Sequence, residues 1–232
     1  MLKGPQFGLS KGDMDKWPVT IGDARKIQDS LAARVRLSPL RGKIKTVAGV
    51  DAAYTGAMTV AAVAVYDLET MSCIEESHHS AATTFPYVPG YLSFREGPAM
   101  IAAIAKLRRR PDLLMVDGQG IAHPRRLGIA SFLGVLLAMP AIGCAKSRLV
   151  GEYLEPPAGK GEWSTLYLNG ETVGAVLRSR DRVKPLFVSP GHLVTVADSL
   201  ELVLRCCTRY RLPEPVRHAD ALSKRVKGEI AP

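Results

Sequence analysis

The 232-residue sequence contains only four cysteines, and none of them belongs to a C-x-x-C pair. They are Cys73, Cys144, Cys206 and Cys207, and the adjacency of the last two gives poor geometry for a structural disulfide. Disulfides persist mainly in oxidising compartments, so this usage does not indicate a disulfide-stapled secreted protein. We therefore expect reduced thiols and a cytoplasmic location.

Long apolar segments are also missing. No stretch of about 18 apolar residues runs unbroken, so no transmembrane helix and no membrane partner are expected. The first residues, MLKGPQFGLSKGDMDKW, lack the apolar core of a signal peptide. The chain has no internal repeat, no G-x-S-x-G elbow and no P-loop, so nothing in it supports a hydrolase of small molecules.

Positive charge is what the composition does offer. Lys and Arg total 31 against 22 Asp and Glu, which gives a formal net charge of +9. With 47% hydrophobic and 23% charged residues, the chain is typical of one globular domain. A basic chain favours an anionic partner such as nucleic acid, because counterions released from phosphates reward binding. Charge alone fits a merely basic protein equally well and says nothing about fold or chemistry.

The pattern of apolar residues predicts a mixed α/β fold. Residues 1–19 are interpreted as a loose arm within a single domain of residues 1–232, and Thr20 to Asp23 has capping-box spacing that opens a helix to about Arg36. Apolar, β-branched runs at 46–54 and 59–66, followed by a third strand at 73–83, predict a meander. Helices and strands then alternate, which indicates a sheet with strands of both directions.

The remaining elements are predicted from the same patterns. Helices are expected at 91–107, with Pro98 interrupting its early turns, and at 129–137, from 189–192 through 207, and from about 215. Strands are expected at 113–116, 141–145, 165–168, 172–177 and 186–188, with a surface excursion at 151–163.

Two aspartates interrupt or end apolar runs. Asp51 lies inside the run 47–54, and Asp117 directly follows the predicted strand 113–116. A buried carboxylate is costly unless it is paired, hydrogen-bonded or bound to a metal, and a salt bridge or cap is an equally simple explanation. Clustered carboxylates suit Mg²⁺ or Mn²⁺, and two such ions can activate water and stabilise a leaving oxygen. Spacing alone does not show that these groups meet.

Six strings along the chain together resemble endonuclease V. They are VAGVDAAY (47–54), PYVPGYLSFREGP (86–98), VDGQGIAHPRRLGIASFLGV (116–135), GCAKSRL (143–149), SPGH (189–192) and YRLPEPVRHAD (210–220). The resemblance runs from about Val47 to Lys224, together with the preceding helix. It implies a ribonuclease-H-like α/β fold, with a mixed five-stranded central sheet flanked by helices.

The resemblance also implies an activity. Such enzymes recognise deoxyinosine in DNA and hydrolyse the second phosphodiester bond on its 3′ side with Mg²⁺, for which Mn²⁺ can substitute, leaving 3′-hydroxyl and 5′-phosphate ends. Inosine-containing RNA stays open as a substrate, because readout of the 2′-hydroxyl cannot be judged from these residues. A different ribonuclease-H-like nuclease and an inactive nucleic-acid-binding protein also stay open at this point. A monomer is expected.

Five residues are implied as catalytic by the matching strings. Asp51, Glu96 and Asp117 would be the principal metal-binding carboxylates, and Asp220 matches a fourth metal-binding position. Lys146 would approach the scissile phosphate as a point charge. Because the metal positions are intact, the resemblance argues against an inactive protein.

The resemblance assigns the remaining site residues to base recognition. A strand-separating wedge matches Pro86, Tyr87, Val88 and Pro89. The lesion pocket matches Gly90, Leu92, Gly118, Gly120, Gly128, Ile129 and Leu149, and His123 could contact substrate or orient a ligand. Backbone groups can read the O6 acceptor and N1–H donor of hypoxanthine, whereas adenine would leave them unpaired. The wedge and these glycines argue against a junction resolvase.

Overall fold

The computed structural model describes residues 17–230, so residues 1–16 of the predicted arm lie outside the described residues. The described helices are α1 (Ile21–Ala32), α2 (Leu92–Ala105), α3 (Ile129–Leu137), α4 (Val196–Cys206) and α5 (Glu214–Ile230). The described strands are β1 (Thr46–Thr55), β2 (Met58–Asp67), β3 (Ser72–Ala82), β4 (Leu113–Val116), β5 (Ala141–Ala145), β6 (Trp163–Leu168), β7 (Glu171–Leu177) and β8 (Leu186–His192). Between residues 17 and 230, no helix has the length and apolarity to cross a membrane.

All eight strands join one mixed sheet in the order β3-β2-β1-β4-β5-β8-β7-β6. The meander β1–β3 is antiparallel, β1, β4 and β5 are parallel, and β8 returns antiparallel to β5. The mixed, helix-flanked sheet of the ribonuclease-H-like prediction is confirmed. The expected number of five strands is wrong, because β8 pairs with β5 on one side and with the β6–β7 hairpin on the other.

Side chains of the central strands point alternately to the two faces of the sheet, and each face has its own hydrophobic core cluster. In β4, Leu114 and Val116 join the cluster beneath α1, α2 and α3, while Leu113 and Met115 join the cluster beneath α4 and α5. Successive side chains of a strand point to opposite faces, so a strand buried on both sides reads as a continuous apolar run. That is why residues 113–116 stand out in the sequence.

Helix α2 continues through Pro98, so the predicted interruption is wrong. Proline has no N–H to give to the carbonyl four residues earlier, which here belongs to Phe94. The indole N–H of Trp17 donates to that carbonyl instead. The helix therefore keeps its regular course although one of its own hydrogen bonds is missing.

Two further boundaries differ from the sequence prediction. Residues 189–192 extend β8 rather than leading directly into a helix, and α4 begins only at Val196, after a capping box formed by Thr195 and Asp198. Helix α1 ends at Ala32 and not near Arg36, whose N–H donates to Nδ1 of His192 and whose carbonyl accepts from Leu193. Because the N–H and the carbonyl of Arg36 are hydrogen-bonded to His192 and Leu193, they cannot form the hydrogen bonds of a longer α1.

Candidate functional site

Three carboxylates from distant parts of the sequence meet at one edge of the sheet. Asp51 lies in β1, Asp117 directly follows β4, and Asp220 lies on α5; one oxygen of each lies within 4.8 Å of the others. Strands β1 and β4 are parallel neighbours in which Val50 pairs with Val116. The next residue along the chain is an aspartate in both cases, so Asp51, inside β1, and Asp117, just past the end of β4, lie side by side.

A close contact between α5 and β1 brings the third carboxylate to this edge. A Cβ atom on Gly49 would lie 2.0 Å from the backbone carbonyl of Pro215, so only glycine allows the helix this near to the strand. The sequence-based prediction gave Gly49 no role, although its place two residues before Asp51 is consistent with close backbone approach.

Lys146 lies between two of these carboxylates. Its Nζ is 2.5 Å from Oδ2 of Asp117 and 3.3 Å from Oδ1 of Asp220, and it follows β5, the strand next to β4. Burial lowers the pKa of Lys146, but its hydrogen bond to Asp117 and the charges of Asp117 and Asp220 outweigh burial and raise it to about 12. On the exposed side, Nζ of Lys224 pairs with the other oxygen of Asp220 at 2.6 Å.

The pKa of Asp51 is raised to about 7, first by burial and then by the negative charge of Asp117. Asp220 differs, because its hydrogen bond to Lys224 and the charge of Lys146 outweigh burial and lower its pKa. Without a further positive charge, the innermost carboxylate is thus held partly protonated near neutral pH. The cluster carries more negative charge than its own lysines offset.

Glu96 approaches the cluster from α2 but is not one of the three converging carboxylates. It is 7% exposed, and its Oε1 accepts a hydrogen bond of 2.5 Å from the hydroxyl of Tyr54. Burial raises the pKa of Glu96 to about 8; the Tyr54 bond lowers it, and the charges of Asp51 and Asp117 raise it. The structure thus brings together three of the four predicted carboxylates. Glu96 lies near enough to interact electrostatically with Asp51 and Asp117.

A cavity of about 360 Å³ adjoins Asp117 and Lys146. Its lining includes ten of the residues assigned to base recognition: Tyr87, Val88, Pro89, Gly90, Leu92, Gly118, His123, Gly128, Ile129 and Leu149. Pro86 is not among the lining residues, and neither is Gly120. A Cβ on Gly120 would lie 2.2 Å from the carbonyl oxygen of Pro190, so Gly120 lets its loop pack against β8, and its assignment to the lesion pocket stays a prediction.

The carbonyl of Gly90, in the turn at the cavity rim, accepts hydrogen bonds from three side chains. Nε2 of Gln28 lies at 2.9 Å, Nε2 of His123 at 3.1 Å and the guanidinium of Arg125 at 3.1 Å. Nδ1 of His123 accepts from the N–H of Arg125, so the ring is neutral with its proton on Nε2. Burial, followed by the charge of Arg125, lowers the pKa of His123 to about 4, which agrees with that tautomer.

Four residues of this region were missed by sequence reasoning, namely Gln28, Tyr54, Gln119 and Arg125. Gln28 could have been found from the sequence, because it is a polar residue on the buried face of α1, together with Ala24 and Leu31. Gln119 lines the cavity and donates from Nε2 to the carbonyl of Ser147 at 3.0 Å. Within residues 17–230, its Oε1 has no hydrogen-bond partner.

Comparisons with known proteins agree with one another. The family model described as Endonuclease V matches residues 29–221. An Endonuclease V from Geotalea uraniireducens is 52% identical over 208 residues, covering 90% of this chain and 89% of the relative. The crystal structure of Endonuclease V from Streptomyces avermitilis matches with a TM-score of 0.89 at 41% identity, covering 93% of this chain and 96% of that one.

A fourth similar protein has been solved in complex with DNA. Endonuclease V from Ciona intestinalis, in complex with a 24mer DNA containing an inosine followed by a ribo-adenosine, matches with a TM-score of 0.78 at 26% identity. The match covers 90% of this chain and 98% of that one. On the family model and the close relatives together, the chain belongs to the endonuclease V family of nucleases.

Proposed function

We propose that the chain is a Mg²⁺-dependent endonuclease that recognises deoxyinosine in DNA and hydrolyses the second phosphodiester bond on its 3′ side. The products would be 3′-hydroxyl and 5′-phosphate ends. The observation that carries this proposal is the position of the carboxylate cluster and Lys146 beside a glycine-rich, partly apolar cavity. The inosine-containing DNA bound by the Ciona intestinalis relative supports the choice of substrate.

The charge of the cluster fits a divalent cation. Asp51, Asp117 and Asp220 carry three negative charges when ionised, and Lys146 and Lys224 offset two of them. The cluster thus keeps excess negative charge and offers only oxygen ligands, which Mg²⁺ and Mn²⁺ prefer. We propose these three carboxylates as ligands, with Glu96, which interacts electrostatically with Asp51 and Asp117, as a fourth. Such an ion supplies Lewis-acid activation of water and offsets charge on the leaving oxygen.

Lys146 is suited to hold the scissile phosphate. Its side chain is 42% exposed and lies at the boundary between the cluster and the cavity. Because a lysine ammonium stays charged near neutral pH, it can pair with a phosphate oxygen without a proton leaving it. In this assignment Lys146 neutralises developing charge and does not act as a base.

The cavity is proposed to hold the base. Glycines at positions 90, 118 and 128 expose backbone groups, while Leu92 and Ile129 offer apolar contact to a flat ring. A site built for hypoxanthine leaves polar groups unpaired when adenine enters, which is a strong source of discrimination. Tyr87, 70% exposed at the rim, is proposed to occupy the gap left by the extruded base.

The test uses end-labelled duplexes that differ only in deoxyinosine or deoxyadenosine at one position. We expect a nick one nucleotide beyond the inosine on its 3′ side, with Mg²⁺ or Mn²⁺ and not after chelation. Asp117→Asn, which keeps the shape of the side chain, should abolish the nick without unfolding the protein. A third substrate, with inosine in an RNA strand, tests whether RNA is cut instead.

Each result has a distinct meaning. Equal cutting of both duplexes would refute base recognition while keeping the nuclease. Cutting after exhaustive chelation would refute the metal assignment. Selective binding of the inosine duplex without any cutting would replace the proposal with a non-catalytic binding protein, and cutting confined to RNA would replace DNA as the substrate.

A further inference from the structure

A second group of metal-ligating side chains lies where β3 meets α5, outside the cavity lining. Cys73 and Glu76 come from β3 and His218 from α5, and one ligand atom of each lies within 4.8 Å of the other two. We propose that Cys73, Glu76 and His218 form a Zn²⁺ site that is separate from the carboxylate cluster. The proposal stands on these three side chains alone and does not depend on the proposed nuclease reaction.

A β-bulge places the two strand ligands on the same face. Residues three apart in a regular strand point to opposite faces of the sheet. Here the register shifts, so that Cys73 pairs with Tyr66, Glu75 with Val65 and Glu76 with Ala64. Residues 64 and 66 of β2 share a face, and their partners Cys73 and Glu76 therefore share it too. Bulges commonly re-aim a side chain in this way.

The third ligand is already oriented toward the other two. Nε2 of His218 lies 2.7 Å from Oε1 of Glu76, while Nδ1 lies 2.9 Å from the hydroxyl of Tyr66. A metal-binding histidine usually hydrogen-bonds through its other ring nitrogen, which fixes the ring and its tautomer. Tyr66 supplies that second contact, and its ring also meets the imidazole edge-on, with the centroids 5.8 Å apart.

The types of ligand select the metal. A thiolate, an imidazole and a carboxylate suit Zn²⁺, whereas the all-oxygen cluster suits Mg²⁺. Three protein ligands leave a fourth position of a tetrahedral site for water. On binding, the Cys73 thiol loses its proton to solvent and the thiolate becomes a ligand. Oε2 of Glu76 keeps its pairing with Arg225 at 3.3 Å, so Oε1 is the oxygen available to the metal.

The two clusters share helix α5 but face different ways. His218 and Asp220 are two residues apart, and side chains at this spacing lie on different sides of a helix. A metal at the Cys73 cluster would tie α5 to β3, and α5 carries Asp220. We therefore expect Zn²⁺ to raise the unfolding temperature of the whole chain.

Cobalt provides a direct spectroscopic test, because only a bound thiolate gives a cysteine-to-cobalt charge-transfer band in the near ultraviolet. Reduced full-length protein is titrated with Co²⁺ and then with competing Zn²⁺. We expect the band to saturate at one equivalent, to vanish on Zn²⁺ addition and to be absent from Cys73→Ser. Asp117→Asn, in the other cluster, and His78→Asn, an exposed histidine of β3, are the matched controls that should keep it.

The other two ligands give independent checks. Glu76→Gln and His218→Asn should weaken Co²⁺ binding by more than the roughly 10-fold to 100-fold that the loss of an outer hydrogen-bond partner causes. Absence of the band in the wild type, or its persistence in Cys73→Ser, would overturn the proposal. If Cys73→Ser does not fold, unchanged affinity in Glu76→Gln would overturn it, as would equal stabilisation of wild type and Glu76→Gln by Zn²⁺.

Discussion

The indole Nε1 of Trp17 donates a hydrogen bond of 2.8 Å to the carbonyl oxygen of Phe94. In an unbroken helix that carbonyl would accept from residue 98, which here is Pro98 and has no N–H. The Trp17 ring also packs edge-on against Phe94 and Phe132, with centroid distances of 5.9 and 5.8 Å. The segment before α1 thus completes the hydrogen bonding of the helix that carries Glu96.

We predict that Trp17→Phe lowers the free energy of unfolding by about 1–3 kcal/mol, since it leaves a partly buried carbonyl without a donor. In a Pro98→Ala background the new N–H of residue 98 can bond to Phe94, so the same change should cost less. Urea unfolding of the four proteins of this double-mutant cycle measures the difference. Equal costs in both backgrounds would mean that Trp17 acts only by packing.

Short-range patterns predicted most of the fold. The apolar run 113–116 and the runs 165–168 and 172–177, which flank Asn169 and Gly170, are local signals, and these strands lie where they were expected. The two central turn residues have φ of 55° and 78°, as a tight hairpin requires. The extension of β8 through residues 189–192 was missed, because it depends on pairing with β5, and a proline in a strand argues against one.

The functional site was harder to predict from the sequence than the fold was. Asp117 was visible because it ends a buried strand, but Asp220 lies on a helix whose distance from β1 only tertiary packing decides. The contact of Gly49 with Pro215 provides that packing, and no spacing rule predicts it. Tyr54 was equally hidden, since a tyrosine near the end of a strand gives no sign of a carboxylate partner on α2.

Lys146→Met should separate metal binding from catalysis. Removing the ammonium group leaves Asp117 and Asp220 without the positive charge between them, so divalent-cation binding should tighten. Cutting should nevertheless slow by roughly 100-fold to 1,000-fold, the usual effect of losing one charge-stabilising donor. Single-turnover rates across a Mg²⁺ titration measure both quantities.

Lys224→Met is the matched control for this prediction. Lys224 also pairs with Asp220, at 2.6 Å, but it is 65% exposed and lies on the solvent side. An exposed ion pair contributes little, so its loss should change the rate only slightly. A comparable loss of rate in both variants would contradict the assignment of Lys146 to the phosphate.

Tyr87→Ala should impair duplex substrates more than single strands. The side chain is 70% exposed, so its removal should leave the unfolding temperature unchanged. If the ring stacks in the gap left by the extruded base, its loss costs about 1–3 kcal/mol, or roughly 5-fold to 150-fold in kcat/KM on an inosine duplex. Tyr167→Ala, which removes a 47% exposed tyrosine on β6, is the control. Equal loss on both kinds of substrate would argue against a wedge.

The raised pKa values of Glu96 and Asp51, about 8 and about 7, make the stability of the metal-free protein depend on pH. In the unfolded chain both groups titrate near their ordinary values, roughly 4. At pH values between the unfolded and the folded pKa, the folded protein holds protons that the unfolded chain has released. The resulting stability is complete below the unfolded pKa and is lost as pH rises through the folded pKa. We expect the free energy of unfolding in chelator to fall by about a few kcal/mol from pH 5 to pH 8.5.

Glu96→Gln removes one of these titrations and should flatten the decline. Mg²⁺ should act in the opposite sense, because it binds the ionised carboxylates: it should stabilise the protein strongly at pH 8.5 and little at pH 5. Urea unfolding at a series of pH values, with chelator or Mg²⁺, measures both effects. The same slope in Glu96→Gln and in the wild type would show that the buried Glu96 carboxyl is already ionised in the metal-free fold.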